Sequence, residues 1–174
     1  VIMEPQKLHH VTISLINKNH FFNYATQYVL KQGKINSVKD FQLSDQEYNA
    51  FVEYLKDKDY TYKTDSERAL EELKKQSEEE SYYQSIKSDY DALVAKMQAD
   101  KKDDLSKFKP EIKQYLEEEI LSRYFYMNGR IEHNMKTDIE LKAAQELLSN
   151  DGKYKGILTL KEKPTRPFKK RKKF

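Results

Sequence analysis

The chain has 174 residues, 37% hydrophobic and 35% charged, with a net charge of +3, four Gly, four Pro and no Cys. The lack of Cys excludes disulfides, thiolate nucleophiles and cysteine-bound zinc, and the length and charged fraction suit one cooperative domain of amphipathic helices with wide solvated faces. Positive charge is concentrated at the end, where Lys161 to Phe174 holds eight Lys/Arg against Glu162, so the body is mildly acidic and lacks the basic face that phosphate binding needs.

Residues 1–12, with Pro5, read as an extended lead-in. From about Ser14 to Lys31, Leu15, Phe21, Phe22, Ala25, Tyr28 and Val29 approximate a helical stripe that Gly33 terminates. Ser44-Asp45-Gln46-Glu47 has the Ser and Glu three apart that reciprocally satisfy the first free amides of a helix. That helix starts at Asp45, with Tyr48, Phe51, Val52 and Leu55 on its buried face and Lys56 to Asp59 as a solvated end. Thr64-Asp65-Ser66-Glu67 repeats the box and opens a long pattern to about Ala99, with Leu70, Leu73, Tyr83, Ile86, Tyr90, Leu93 and Met97 facing inward. Gln76, Ser77 and Glu79 to Ser81 interrupt it, which favours a helix packed in a hairpin over a free-standing coiled coil. After a turn near Asp100 to Asp103, a second stripe runs through Leu105, Phe108, Ile112, Leu116, Ile120, Tyr124 and Met127, expected to lie antiparallel on the first. Pro110 fits a helix start or a kink, and Asn128-Gly129 ends the helix. Thr137 to Glu140 starts another helix that reaches Ser149; Asp151-Gly152 turns the chain, and Tyr154 to Leu158 adds one helical turn. Beyond Lys163, two prolines and the basic run predict disorder. The expectation is an all-α fold with a long antiparallel helical hairpin and shorter flanking helices over residues 1–160, followed by a basic, disordered tail over 161–174.

No apolar run reaches the length of a membrane-spanning helix, and Val1 to His10 lack the basic start and apolar stretch of a signal peptide, so any export signal is expected upstream. The opening Val1-Ile2-Met3-Glu4 reads as the continuation of something longer.

Candidate chemistry is sparse. The one S-x-x-K, Ser106-Lys107-Phe108-Lys109, sits among charges, whereas a catalytic lysine needs desolvation to lower its pKa, so it reads as a solvated helix start. The four histidines have no metal-ligand spacing and read as surface or packed residues. No G-x-S-x-G, Walker loop or G-x-G-x-x-G occurs. Glu117-Glu118-Glu119 reads as a solvated face between the core positions Leu116 and Ile120. Thirteen Tyr and eight Phe without Trp imply packing seams that keep a polar tip at the edge. Arg123-Tyr124-Phe125-Tyr126 cannot all face one core, so either some meet another surface or the helix is buried on several sides. With Phe21, Phe22 and Tyr24 they form a candidate interaction surface. The run Lys169-Lys170-Arg171-Lys172-Lys173 is a candidate for binding an anionic surface, or serves only solubility.

Several segments together resemble the region after the catalytic core of S41 peptidases, the carboxyl-terminal-processing or tail-specific proteases, especially the Bacteroidetes-type sequences. They are Phe21-Phe22-Asn23-Tyr24-Ala25-Thr26, Asp40 to Asp45, Phe51-Val52-Glu53-Tyr54-Leu55, Glu117 to Tyr126 and Asn150-Asp151-Gly152-Lys153-Tyr154, in the family's order over roughly residues 5–160. The resemblance implies an exported serine protease of the periplasm or cell envelope that cuts polypeptides near their C termini with a Ser–Lys dyad, often guided by a PDZ domain. The protease and PDZ domains would lie upstream on the same polypeptide, and self-association stays open. No position here matches the family's nucleophile or lysine motif, so no catalytic residue, cofactor or metal is assigned, and no specific nucleic acid is expected. A helical adaptor that binds a partner or an anionic surface through its hairpin and tail is the alternative.

Overall fold

A computed structural model describes residues 7–159. Among the described residues there are nine α-helices and no strand, which gives the all-α fold. They fall into two compact units, one ending at Lys136 and the other beginning at Thr137. The residues at positions 1–6 and the basic run Lys169 to Lys173 lie outside the described residues.

The first unit opens with two helices where the stripe predicts one, and it opens earlier, inside the expected lead-in: α1 (His10–Asn17) and α2 (His20–Lys31). Leu15 and Phe21 are six residues apart, which on a continuous helix would rotate them by ~240° onto different faces. The chain instead breaks at Asn19, whose φ of 57° is left-handed, a conformation Asn tolerates better than most non-glycine residues. The break lets Val11 and Leu15 of α1 and Phe21, Ala25 and Tyr28 of α2 reach the same core.

Helix α3 (Asp45–Leu55) begins as the sequence predicts. The Glu47 amide donates to Ser44 Oγ at 3.2 Å, and the Ser44 amide donates to Glu47 Oε2 at 2.7 Å. Tyr48, Phe51 and Leu55 are buried along one face. Phe51 lies at the centre of the aromatic packing, stacked on Phe21 at 5.6 Å and met edge-on by Tyr24 at 5.0 Å between ring centroids.

The predicted long helix from Asp65 to Ala99 is two helices, α4 (Asp65–Glu79) and α5 (Tyr83–Lys101). The break falls at the polar interruption, with Ser81 at φ 64°, because no apolar side chain there holds the chain to a continuous stripe. Helix α5 then folds back on α4: Gln98 Nε2 and Lys101 Nζ each donate to Glu67 Oε1 at 3.0 Å, while Lys74 lies over the Tyr83 ring. The hairpin therefore joins the two halves of this one segment, not this segment with the stripe after residue 105. Its expected inner face is only partly covered, and Leu73 and Leu93 are exposed.

After the single turn α6 (Asp104–Lys107), α7 (Lys109–Met135) carries Pro110 in its first turn. Ile112, Leu116 and Ile120 complete the core with α1 to α3. Helix α7 does not end at Asn128-Gly129. It breaks at Tyr126, with φ 56° and ψ −149°, and the arm 127–135 returns beside the arm 109–125, placing Arg130 against Glu118 and His133 against Glu117. Gly129 is required at this crossing, since a Cβ there would stand 2.7 Å from Phe125 Cβ and 3.0 Å from the Leu121 carbonyl oxygen. Met127, expected on the buried stripe, is exposed beyond the break.

The second unit is a helix pair, α8 (Ile139–Ser149) and α9 (Asp151–Leu158). Asp138 and Asn150 cap them by accepting from the Leu141 and Lys153 amides at 2.8 Å and 3.0 Å. Helix α9 starts at once after Asn150, so Asp151-Gly152 forms its first turn and not a separate bend. Among the described residues no helix is long and apolar enough to cross a membrane.

Candidate functional site

The aromatic segments singled out by sequence meet where α2 packs on α7. Phe21 is buried, and Tyr24 is half-buried against Phe51 and Tyr54. Arg123 reaches across from α7: its guanidinium donates to the Phe22 carbonyl at 2.8 Å, to Thr26 Oγ1 at 3.2 Å, and to the Glu119 carbonyl and carboxylate at 2.6 Å and 3.0 Å. It also lies 4.5 Å from the centre of the Phe22 ring. A planar fork with several fixed donors is what lets one Arg satisfy a helix carbonyl, a hydroxyl and a carboxylate together. The Tyr124 hydroxyl donates to the Gly33 carbonyl at 2.7 Å, tying α7 to the chain just past α2. Phe125 is half-buried, while Phe22 is 55% and Tyr126 80% exposed. Phe21, Tyr24, Arg123 and Tyr124 therefore close an internal seam, and Phe22 and Tyr126 turn rings to solvent at its margin.

The acidic run beside this seam is not a solvated face. Glu117 and Glu118 are 6% and 4% exposed. Glu117 Oε1 accepts from the Leu43 amide at 2.8 Å, and its Oε2 stands 3.2 Å from His133 Nε2. Glu118 Oε2 stands 3.4 Å from an Arg130 nitrogen. Buried carboxylates persist only when paired and hydrogen-bonded, and here the returning arm of α7 supplies both partners. With one partner on each Glu117 oxygen, the carboxylate fastens the lead into α3 to the returning arm of α7. The sequence held no signal for this, because the partners meet only through the reversal at Tyr126.

The S-x-x-K segment forms no dyad. Lys109 Nζ is 2.9 Å from Asp45 Oδ1 and sits over the Tyr48 ring, and Ser106 is exposed. Its bond to Lys109 holds the Asp45 carboxyl below the usual range. His9 stacks on Phe108 and meets Glu111 at 2.7 Å; His20 Nε2 is 2.8 Å from the Asp59 carbonyl. Among the described residues no group of three or more His, Asp or Glu is placed to hold a metal ion.

Sequence reasoning missed a cleft of about 820 Å³ between the α4/α5 hairpin and the non-helical segment 58–63. Tyr60, Leu70, Tyr90, Val94 and Met97 line it. On the far side of Tyr62 lies a second hollow of about 370 Å³, which shares Tyr62, Met97 and Lys101 with the first. Tyr62 is held in place by its hydroxyl on Asp104 and by Lys101, whose Nζ lies 4.2 Å from its ring centre and donates to its carbonyl at 2.6 Å. Burial, followed by the bond to Asp104, pushes the Tyr62 phenol well above its ordinary pKa, so it stays a neutral donor. Leu70, Tyr90 and Met97 stood on the predicted inner stripe, but assigning that stripe to the wrong partner helix hid the opening.

A family model described as the C-terminal helical domain of a probable PDZ-protease matches residues 11–148, from the start of α1 to the end of α8. No curated protein and no solved structure matches the chain.

Proposed function

The chain belongs to the family of C-terminal helical domains of probable PDZ-proteases, and on that footing we propose that it is the non-catalytic helical end of a carboxyl-terminal-processing serine protease of the S41 kind. In this reading the Ser–Lys dyad and the PDZ domain lie upstream on the same polypeptide, the enzyme is exported to the periplasm or cell envelope, and its substrates are polypeptides cut near their C termini. The helical domain packs on the catalytic core and shapes access to it or self-association. The family match over residues 11–148 carries the reading.

Two further observations support it. The only S-x-x-K pair has its lysine bound to the Asp45 carboxylate and its serine exposed, so the two do not form a nucleophile–base pair. The returning arm of α7 exposes Met127, Ile131 and Met135, spaced four apart and so on one helix face, as expected of a surface that packs on a neighbouring domain.

The test is to assay the full polypeptide and the 174-residue chain side by side against an unfolded protein substrate. The full polypeptide is expected to trim the substrate from its C terminus and to lose this activity when a serine or lysine encoded upstream of Val1 is replaced; the chain alone is expected to hydrolyse nothing. Proteolysis by the purified chain that vanishes with Ser106→Ala would overturn the proposal. So would salt-dependent binding of the chain to anionic lipid that needs residues 164–174, in a polypeptide with no protease core upstream.

A further inference from the structure

The cleft beside the hairpin is walled by Tyr60, Leu70, Tyr90, Val94 and Met97. Helices α4 and α5 bury no apolar side chain, and paired helices of this length are marginal in water without a face to pack. The groove takes the apolar surface that the hairpin leaves uncovered and opens it along the segment 58–63.

Its shape is elongated. The two hollows have Tyr62, Met97 and Lys101 in common, so the Tyr62 ring stands between them. Tyr62 is fixed from both sides, by Asp104 at its hydroxyl and by Lys101 at its face. A chain in extended conformation sends alternate side chains to opposite sides, and a fixed ring between two hollows fits that alternation better than it fits a compact small molecule.

Its charge selects among such chains. Four lysines and two glutamates line the larger hollow. Lys101 is paired with Glu67 at 3.0 Å and Lys63 with Glu71 at 2.6 Å. Lys58 and Lys102, both exposed, have no carboxylate partner among the described residues. The lining of the larger hollow is thus net positive although the body is mildly acidic, and this local field favours a carboxylate over a cation.

We propose that the groove between the α4/α5 hairpin and the segment 58–63 binds an extended polypeptide that carries apolar or aromatic side chains and a carboxylate, the latter placed near Lys58 and Lys102. The origin of this occupant as a substrate or processed chain rests on the protease reading, whereas its chemistry comes from the groove.

Fluorescence anisotropy at low salt, on the full polypeptide and on the 174-residue chain, tests the proposal. The probe is a labelled, unstructured peptide of about ten residues, alternating Leu or Phe with Ser and ending in two Asp. Saturable binding is expected, weakened about tenfold when the two Asp are replaced by Lys, or when the protein carries Lys58→Glu with Lys102→Glu. Both substitutions lie on exposed positions and are expected to leave the circular dichroism spectrum unchanged. Val94→Asp, in the wall of the groove, is expected to abolish binding with the circular dichroism spectrum unchanged. Equal binding of acidic and basic peptides, indifference to the double charge reversal, or no binding at all would each overturn the proposal. A dimer that Val94→Asp dissociates and the peptide does not displace would do the same, by giving the groove to a second copy. Because the readout is binding, peptide capture by a chain without any protease core upstream would remove the protease reading and leave the groove standing. An active protease that ignores the peptide would do the reverse.

Discussion

Helix α3 starts at Ser44 with Glu47 closing its cap, and α4 starts at Thr64 with Glu67 doing the same, yet α3 buries Tyr48, Phe51 and Leu55 whereas α4 buries only Ser77. The shared cap sets where each helix begins and contributes about 1 kcal/mol to each. The side chains beyond the cap decide the rest, since burying one large apolar side chain contributes about 1.5–3 kcal/mol. Two helices with the same first turn thus differ in how much apolar surface they bury within one unit. The core over α1 to α3 and the first arm of α7 holds the fold, and the hairpin is the part left free to bind.

The sharpest way to break this comparison is to truncate one apolar residue in each region. Phe51→Ala, at a fully buried position among four aromatic neighbours, is expected to lose about 3–5 kcal/mol in urea unfolding. Leu73→Ala, 47% exposed on α4, is expected to lose less than about 1 kcal/mol; equal losses would show that the hairpin has a core of its own. Next in size, Glu117→Ala strands the buried Leu43 amide and His133 and is expected to cost about 2–4 kcal/mol. Gly129→Ala would press a methyl group onto Phe125 and the Leu121 carbonyl and is expected to cost about 1–3 kcal/mol, read as a lower thermal midpoint.

The smallest effects come from the caps themselves. Ser44→Ala and Thr64→Ala should each cost about 1 kcal/mol, but hydrogen exchange will separate them: the first lowers protection throughout the core, the second only in α4 and α5. Acid sharpens the same contrast. At Glu47 burial acts to raise the carboxyl pKa, but hydrogen bonds from Tyr28 and Ser44 outweigh it and hold the pKa below the ordinary 4.5. At Glu67 burial is likewise outweighed, by the Thr64 amide and by Lys101. A carboxyl depressed in the folded state adds stability that is complete above its unfolded pKa and is lost as pH falls through the folded one. Below about pH 4.5, therefore, α4 should lose amide protection before α3, because no buried face supports it once its cap is protonated.

Much of the helix content was legible in the sequence, because capping boxes and stripes are local signals. Ser44 to Glu47, Thr64 to Glu67, Pro110 and Asp138 all mark helix starts that the structure contains. Pairing was less legible. The reversals at Asn19, Ser81 and Tyr126 use non-glycine residues in the left-handed region, so no Gly or Pro announced them. The Asn was the one readable hint. With no Gly or Pro at Ser81, the stripe of α4 and α5 reads as one helix that needs a distant partner, which leaves no groove. The same blindness at Tyr126 made Glu117 and Glu118 look solvated, since their partners lie on an arm expected to have ended. Of the aromatic residues, spacing showed that they could not all face one core; it could not show that Arg123 would clamp α2 from within.

Glu117 accepts the Leu43 amide across 74 positions of sequence. On a ribosome adding about 5–20 residues per second, the carboxylate is made on the order of 4–15 s after the amide it satisfies. For most of that wait Ile112 and Leu116 are absent as well, and Ile120 for all of it, so the first three helical segments have neither their lid nor their anchor. Newborn chains of this protein thus pass through a stage in which the apolar side chains of the first three helical segments lack the surface that later covers them.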